Sequence, residues 1–206
     1  MLGPLVVAGV CFTNDEFINN LGVKDSKKHT PKRREFFETI IKKQAVAYEI
    51  LVISASDIDD MRKVMTMNEI EVFAFTKIIK KLKPDLCYVD AADVNESRFG
   101  HSISQHLSKK TEIISKHKAD DLYPIVSAAS ILAKTRRDEE MKHIAETLEK
   151  RINKPLGSGY PADPITKTFL EKWVNTYGKL PPHTRKSWNT AKTIMNIYKT
   201  RDLDKF

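Results

Sequence analysis

The order of secondary-structure signals predicts an α/β protein: a mixed sheet with helices around it and a helical lobe at the C-terminal end. The chain opens on LVVAGVCF (5–12), a continuous β-branched run of the kind that a strand buried on both faces requires. After one helix and a second strand, strand and helix signals alternate through the middle of the chain, which favours an α/β layout. The length fits this reading, because 206 residues, 41% of them apolar, can bury one sizeable core and still leave material for an appended lobe.

Each element has a local reason. Thr30 followed by Pro31 is a helix N-cap and first-turn pair, and Phe36, Phe37, Ile40 and Ile41 then recur on one helical face. AVAYEILVIS (45–54) is the second strand, and Ser56 is placed to cap a short helix over Ile58 to Lys63. From Asn68 to Leu82 the residues Ile70, Phe73, Ile78 and Leu82 keep helical spacing until Lys83-Pro84 stops them. DLCYVDA (85–91) is a short strand running into an acidic residue, Phe99, Ile103 and Leu107 mark another helix, and TEIIS (111–115) is another strand. No Gly or Pro interrupts Ile125 to Ile152, which predicts one long helix or two abutting ones. Asp163-Pro164 caps a helix with Phe169, Trp173 and Tyr177 inward and Gly178 as its stop; a last helix covers roughly Trp188 to Lys199. The expected organisation is a sheet domain over 1–153 and a helical lobe with a tail over 154–206.

Composition narrows the function. An excess of 35 Lys plus Arg over 27 Asp plus Glu, a formal charge of +8, points to a polyanionic partner such as nucleic acid. Cys11 and Cys87 are the two cysteines, too few for a disulfide framework or a four-ligand zinc site; each reads as a buried free thiol, in keeping with a reducing cytoplasm. The apolar opening has no basic flank and falls short of the roughly 20 residues that cross a bilayer, so neither a signal peptide nor a membrane anchor is expected. A monomer is the default expectation.

The chemistry centres on two acids. Asp90 ends a buried strand, where a carboxylate is desolvated unless something cationic lies beside it. Asp120 in KHKADDLYP follows the next strand, so in an α/β sheet the two converge at neighbouring strand ends. Two hard oxygen ligands suit Mg²⁺ or Mn²⁺ better than zinc. The alternative is that both acids merely cap helices or turns, and spacing alone does not separate the two readings. Asp93 and Asp121 are expected to face solvent or to cap.

Five segments in order, DSKK (25–28), YVDAADVN (88–95), KADDLYPIVSAASILAK (118–134), GSGYPADP (157–164) and RKSWNT (185–190), resemble the successive motifs of ribonuclease HII in its archaeal form. The resemblance spans nearly the whole chain. It implies a ribonuclease H-like fold, a five-stranded mixed sheet flanked by helices with a helical C-terminal lobe. It also implies endonucleolytic cleavage of the RNA strand of RNA–DNA hybrids and of single ribonucleotides embedded in DNA, leaving 3′-hydroxyl and 5′-phosphate ends. In that family four carboxylates hold two Mg²⁺ or Mn²⁺ ions, and Asp90 and Asp120 match the third and fourth. The first two belong to an Asp-Glu-x-Gly-Arg-Gly segment ahead of the strand beginning near Leu2, which this sequence does not contain. A truncated sequence record is the favoured explanation, because the motifs that remain are locally consistent.

The resemblance further implies that Tyr160 stacks on the sugar at the RNA-to-DNA junction, a contact that tolerates any base. A Tyr packing its turn onto the core is the competing reading. Lys27, Lys28, Lys134, Arg136, Arg185 and Lys186 are candidate phosphate contacts, each weighed against a role as a solvated surface charge. At the C-terminus, Leu203 and Phe206 in TRDLDKF look like a weakened sliding-clamp-binding box, against which stands a frayed terminus. Three functions are thus open: the nuclease, a non-catalytic hybrid-binding remnant with two of the four metal-binding carboxylates, and a basic structural protein.

Overall fold

The structure, a computed structural model, describes residues 1–14, 16–23 and 30–203, with side chains through 200. Strands β1 (Leu5–Cys11), β2 (Ala47–Ile53), β3 (Leu86–Asp90) and β4 (Glu112–Lys116) pair two by two, β1 with β2 and β3 with β4. The α/β expectation therefore holds. The described strands form two pairs in place of one five-stranded sheet. β3 and β4 are parallel, with Leu86 opposite Glu112 and Asp90 opposite Lys116, so a crossover helix must separate them in the chain.

Nine helices are described: α1 (Glu16–Asn20), α2 (Pro31–Gln44), α3 (Ala55–Met61), α4 (Met67–Leu82), α5 (Glu96–Gln105), α6 (Ala119–Leu122), α7 (Pro124–Ile152), α8 (Pro164–Tyr177) and α9 (Asn189–Leu203). Thr30 caps α2 through a bond from the Arg33 N–H, and Asp163 caps α8 through one from Ile165. A capping box starts α4, where Thr66 accepts from the Glu69 N–H and the Glu69 carboxylate accepts from the Thr66 N–H. The long helical stretch is one helix of 29 residues.

Four expectations need correction. Ser54, not Ser56, caps α3, because its hydroxyl is the one that reaches the Asp57 N–H at 3.1 Å. Phe36 is 62% exposed: the buried stripe of α2 runs through Phe37 and Ile41, and adjacent residues on a helix diverge by about 100°. Phe73 points outward for the same reason, since Ile70, Ala74 and Ile78 set the buried face of α4. Tyr177, expected inward, is partly exposed at its ring while still resting against Trp173, 4.7 Å between centroids.

The chain forms two compact units. One takes Val6–Val52 and Met65–Arg136; the other takes Met1–Leu5, Ile53–Val64 and the residues from Arg137 onward. Both draw on α7, and neither boundary falls at residue 153. In the sheet-bearing unit, Val10, Phe37, Ile41, Ile131 and Leu132 pack as one core, and Ile79, Val89, Phe99 and Ile103 as another. In the helical unit Leu2, Leu148, Leu156, Phe169 and Trp173 pack together. Cys11 and Cys87 are free and half-buried; burial pushes the Cys87 thiol up to about 12, so it stays protonated and unreactive at neutral pH. Among the described residues no helix is long and apolar enough to cross a membrane.

Phe99 is 1% exposed and meets Phe75 edge to face, with ring centroids 5.4 Å apart. Phe99→Ala is expected to lower unfolding stability by about 3–5 kcal/mol in urea titrations. A loss below about 1 kcal/mol would mean that the site collapses around the cavity or that Phe99 is not central to its core.

Candidate active site

The parallel register of β3 and β4 builds the site. Asp90 ends β3 opposite Lys116, and the Ala91 N–H donates to the Lys116 carbonyl at 2.9 Å, carrying the pairing one step beyond the strands. The chain then turns at Lys118, whose backbone is left-handed at φ 53°, and enters α6. That turn aims the Ala119 N–H back at β3, where it donates to Asp90 Oδ1 at 3.1 Å. The two predicted acids are thereby brought to one end of the sheet, with Asp120 next to the residue that holds Asp90. Asp120 is 5% exposed, and its carbonyl accepts from the Ser127 hydroxyl on α7. The Tyr88 and Tyr123 rings meet at a tilt of 35°, 4.4 Å between centroids, packing β3 against the segment that follows α6.

Two neighbouring acids hold the surrounding loops. Glu96 accepts from the His117 N–H at 2.6 Å and pairs with Lys116 at 3.4 Å, fixing the stretch between β4 and Asp120. The His117 amide, with Lys116 in support, keeps the Glu96 carboxyl below its ordinary range. Of the two expectations for Asp93, facing solvent or capping, the structure shows the second: it is buried and caps the turn ahead of α5. It is 7% exposed and accepts from the Arg98 guanidinium, from the Asn95 N–H at 2.8 Å and from the Asn68 amide at 3.1 Å. Arg98 and the Asn95 amide hold its carboxyl well below the usual carboxylate range.

The donor set fits a hard divalent cation. Asp90 accepts a single described hydrogen bond, so most of its roughly four lone-pair sites stay open. Its nearly buried neighbour Asp120 is the second hard oxygen donor. Among the described residues no three His, Cys, Asp or Glu side chains gather into a metal-binding group, so this pair is what the described chain offers.

Tyr160 lies in the helical unit, on the turn GSGYPADP. Asp163 organises the turn: its Oδ2 accepts from the Ser158 N–H and hydroxyl, each at 2.6 Å, and from the Thr166 hydroxyl at 3.1 Å. These bonds, those to Ser158 first, hold its carboxyl far below the ordinary carboxylate range. Gly159 has φ 79°, and a Cβ there would lie 2.6 Å from the Leu2 carbonyl oxygen, so no side chain fits. Tyr160 is 53% exposed, and the Arg137 guanidinium covers its ring at 4.1 Å from the centroid. Arg137 is the neighbour of Arg136, the phosphate candidate on this stretch of α7, and nothing local in the sequence marks its contact with so distant a residue.

The other candidates fall in different surroundings. Lys134 is half-buried and Arg136 exposed on α7, both in the sheet-bearing unit. Arg185, expected at a phosphate, is instead 9% exposed: its Nε donates to the Gly3 carbonyl at 3.0 Å and its guanidinium lies 4.9 Å from the Trp188 ring centroid. Asp59 on α3 ties down the neighbouring residues, accepting from the Lys186 and Ser187 amides at 2.7 and 2.9 Å. Lys27, Lys28 and Phe206 lie outside the described residues; Leu203 is the last residue of α9.

The α/β layout, with Asp90 at the end of β3 and Asp120 on the short helix that follows β4, is that of a ribonuclease H-like fold. The crystal structure of ribonuclease H2 from Pyrococcus horikoshii OT3 matches with a TM-score of 0.86 at 38% identity, over 96% of this chain and 92% of that one. The ribonuclease HII of Archaeoglobus fulgidus, solved in complex with PCNA, matches with a TM-score of 0.84 at 36% identity, over 94% and 90%. More particularly, the chain belongs to the ribonuclease HII family, whose model matches residues 1–191. Ribonuclease HII of Methanosarcina barkeri is 47% identical over 204 residues, covering 94% of this chain and 89% of that protein.

Asp163 makes the turn sensitive to acid. Its folded-state pKa lies below the unfolded one, so its contribution to stability is complete above about pH 4 and is lost as pH falls toward the folded value. Asp163→Asn is expected to melt at a lower temperature than the parent chain at pH 7, with the gap narrowing from about pH 4 downward. A gap that stays constant to pH 2.5 would show that the carboxylate charge contributes nothing.

Proposed function

We propose that this chain cleaves the RNA strand of RNA–DNA hybrids, and DNA at single embedded ribonucleotides, by metal-dependent hydrolysis of a phosphodiester bond. The observation that carries the proposal is the convergence of Asp90 and Asp120 at one end of the β3–β4 pair, in a chain of the ribonuclease HII family. Asp90 and Asp120 are the residues that hold Mg²⁺ or Mn²⁺. Two such ions, when bound, supply an activated water and charge stabilisation at the leaving 3′ oxygen. The chain's own part is to fix both carboxylates: Ala119 and the Lys118 turn orient Asp90, while Glu96 immobilises the segment leading to Asp120. Tyr160 offers its exposed ring to a sugar at the RNA-to-DNA junction, and Lys27, Lys28, Lys134 and Arg136 are assigned to phosphates. Arg185 is left out of that set because its guanidinium is buried.

The test is cleavage, in Mn²⁺, of a DNA duplex carrying one ribonucleotide, by this chain and by a form extended with an Asp-Glu-x-Gly-Arg-Gly segment before Met1. Asp90→Asn and Asp120→Asn, made in whichever form is active, are expected to lower cleavage by more than about a hundredfold while sparing substrate binding. Full cleavage by either variant would refute the metal-ligand assignment. Salt-sensitive binding without cleavage in both forms would favour the non-catalytic hybrid binder.

The C-terminal Leu203 and Phe206 are proposed to enter an apolar groove of a sliding clamp, a reading supported by the Archaeoglobus fulgidus relative having been solved with PCNA. In a size-exclusion assay with an archaeal clamp, the parent chain should co-elute, and a Leu203→Ala, Phe206→Ala double variant should not. Co-elution of both would place the contact elsewhere.

A further inference from the structure

We propose that Arg137 is a positioning residue that clamps the Tyr160 ring in the direction from which it meets its ligand. The inference rests on the reading of Tyr160 as the sugar-stacking residue. An exposed tyrosine on a turn has two free side-chain torsions, and hydrogen bonding within the turn fixes its backbone but not its ring. Asp163 and Thr166 secure the backbone, the latter by accepting the Gly159 N–H at 2.9 Å. The ring has one described partner, the Arg137 guanidinium at 4.1 Å from its centroid. That guanidinium is itself fixed, because its Nη2 donates to the Ser158 carbonyl at 3.0 Å, two residues from Tyr160. No carboxylate competes for it among the described residues. One planar group thus grips both the turn and the ring, covering one face and leaving the other for a ligand. A lysine ammonium has neither the flat face to stack nor the fork to bond the carbonyl at the same time.

The arrangement makes Arg137 different from a phosphate contact, and the two roles separate experimentally. The chain is labelled with 3-fluorotyrosine, and the Tyr160 fluorine resonance is identified by its loss in Tyr160→Phe. Arg137→Ala and Arg137→Lys are both expected to shift that resonance, with circular dichroism unchanged; a resonance that stays in place in both variants overturns the proposal. Affinity for a fluorescein-labelled duplex with one embedded ribonucleotide is then read by anisotropy. Tyr160→Ala and Arg137→Ala should each weaken binding by about tenfold, Arg137→Lys should not restore it, and the double Ala variant should be no weaker than either single one. Additive losses, or rescue by Arg137→Lys with a salt slope reduced by about one in the Ala variant, would make Arg137 a phosphate contact and overturn the clamp. A shifted resonance with Tyr160→Ala binding unchanged supports the clamp and removes the sugar-stacking reading instead.

Discussion

The hydrogen bond from the Ala119 N–H to Asp90 ties the half-buried acid that ends β3 to the turn that follows β4. A carboxylate in such a place is tolerated only when donors or a cation offset its lost hydration. The parallel register of β3 and β4 decides that the donor comes from the turn after β4, because it sets Lys116 opposite Asp90. A slip of one residue would send Asp90 to the other face of the sheet and break the geometry at its origin. The left-handed Lys118, the Glu96 grip on His117 and the contact of the Tyr88 and Tyr123 rings all serve this junction.

The acids of the molecule divide by how completely they are surrounded. Asp93, Glu96 and Asp163 each accept from a backbone N–H and at least one side chain, and each is held below its ordinary pKa range as a result. They are loop anchors. Asp90 accepts one described bond and keeps the rest of its lone pairs available. The same division separates the arginines. Arg98 and Arg185 are turned toward neighbouring parts of the chain, whereas Arg137 couples a turn to an exposed ring.

Much of this was legible in the sequence because it is local. A strand that ends in an acid, a Thr-Pro or Asp-Pro helix start, and a long stretch free of Gly and Pro each announce themselves within a few residues. That Asp90 and Asp120 come close together was readable on the same basis, but their role was not, because a capping acid and a metal-binding acid share the same local spacing. Phe36 and Phe73 were misread because a hydrophobic residue beside the buried stripe has the same composition as one on it, and only the packing partner fixes the helix phase. The turn cap made by Asp93 was legible, but its burial was not, because its partners Arg98 and Asn68 come from two different helices. Arg137 was invisible, since its meeting with Tyr160 depends on a tertiary return of the chain. Ser54 and Ser56 lie two residues apart at the same helix start, and only the folded backbone decides which hydroxyl reaches the Asp57 N–H.

The turn that carries Tyr160 is closed from below by the main chain itself: the Leu2 N–H donates to the Gly159 carbonyl at 2.9 Å, and the Leu2 carbonyl blocks any Cβ on that glycine. Gly157 is equally confined, with the Asp163 carboxylate 2.6 Å from where its Cβ would stand. Sequence drift here has little room, because the obstruction at Gly159 is backbone that a compensating side-chain change elsewhere cannot remove. Variation is free only at exposed positions further along, such as Ala162 and Ile165. Descendants of this sequence can therefore change what flanks the tyrosine but not the angle from which the chain delivers it.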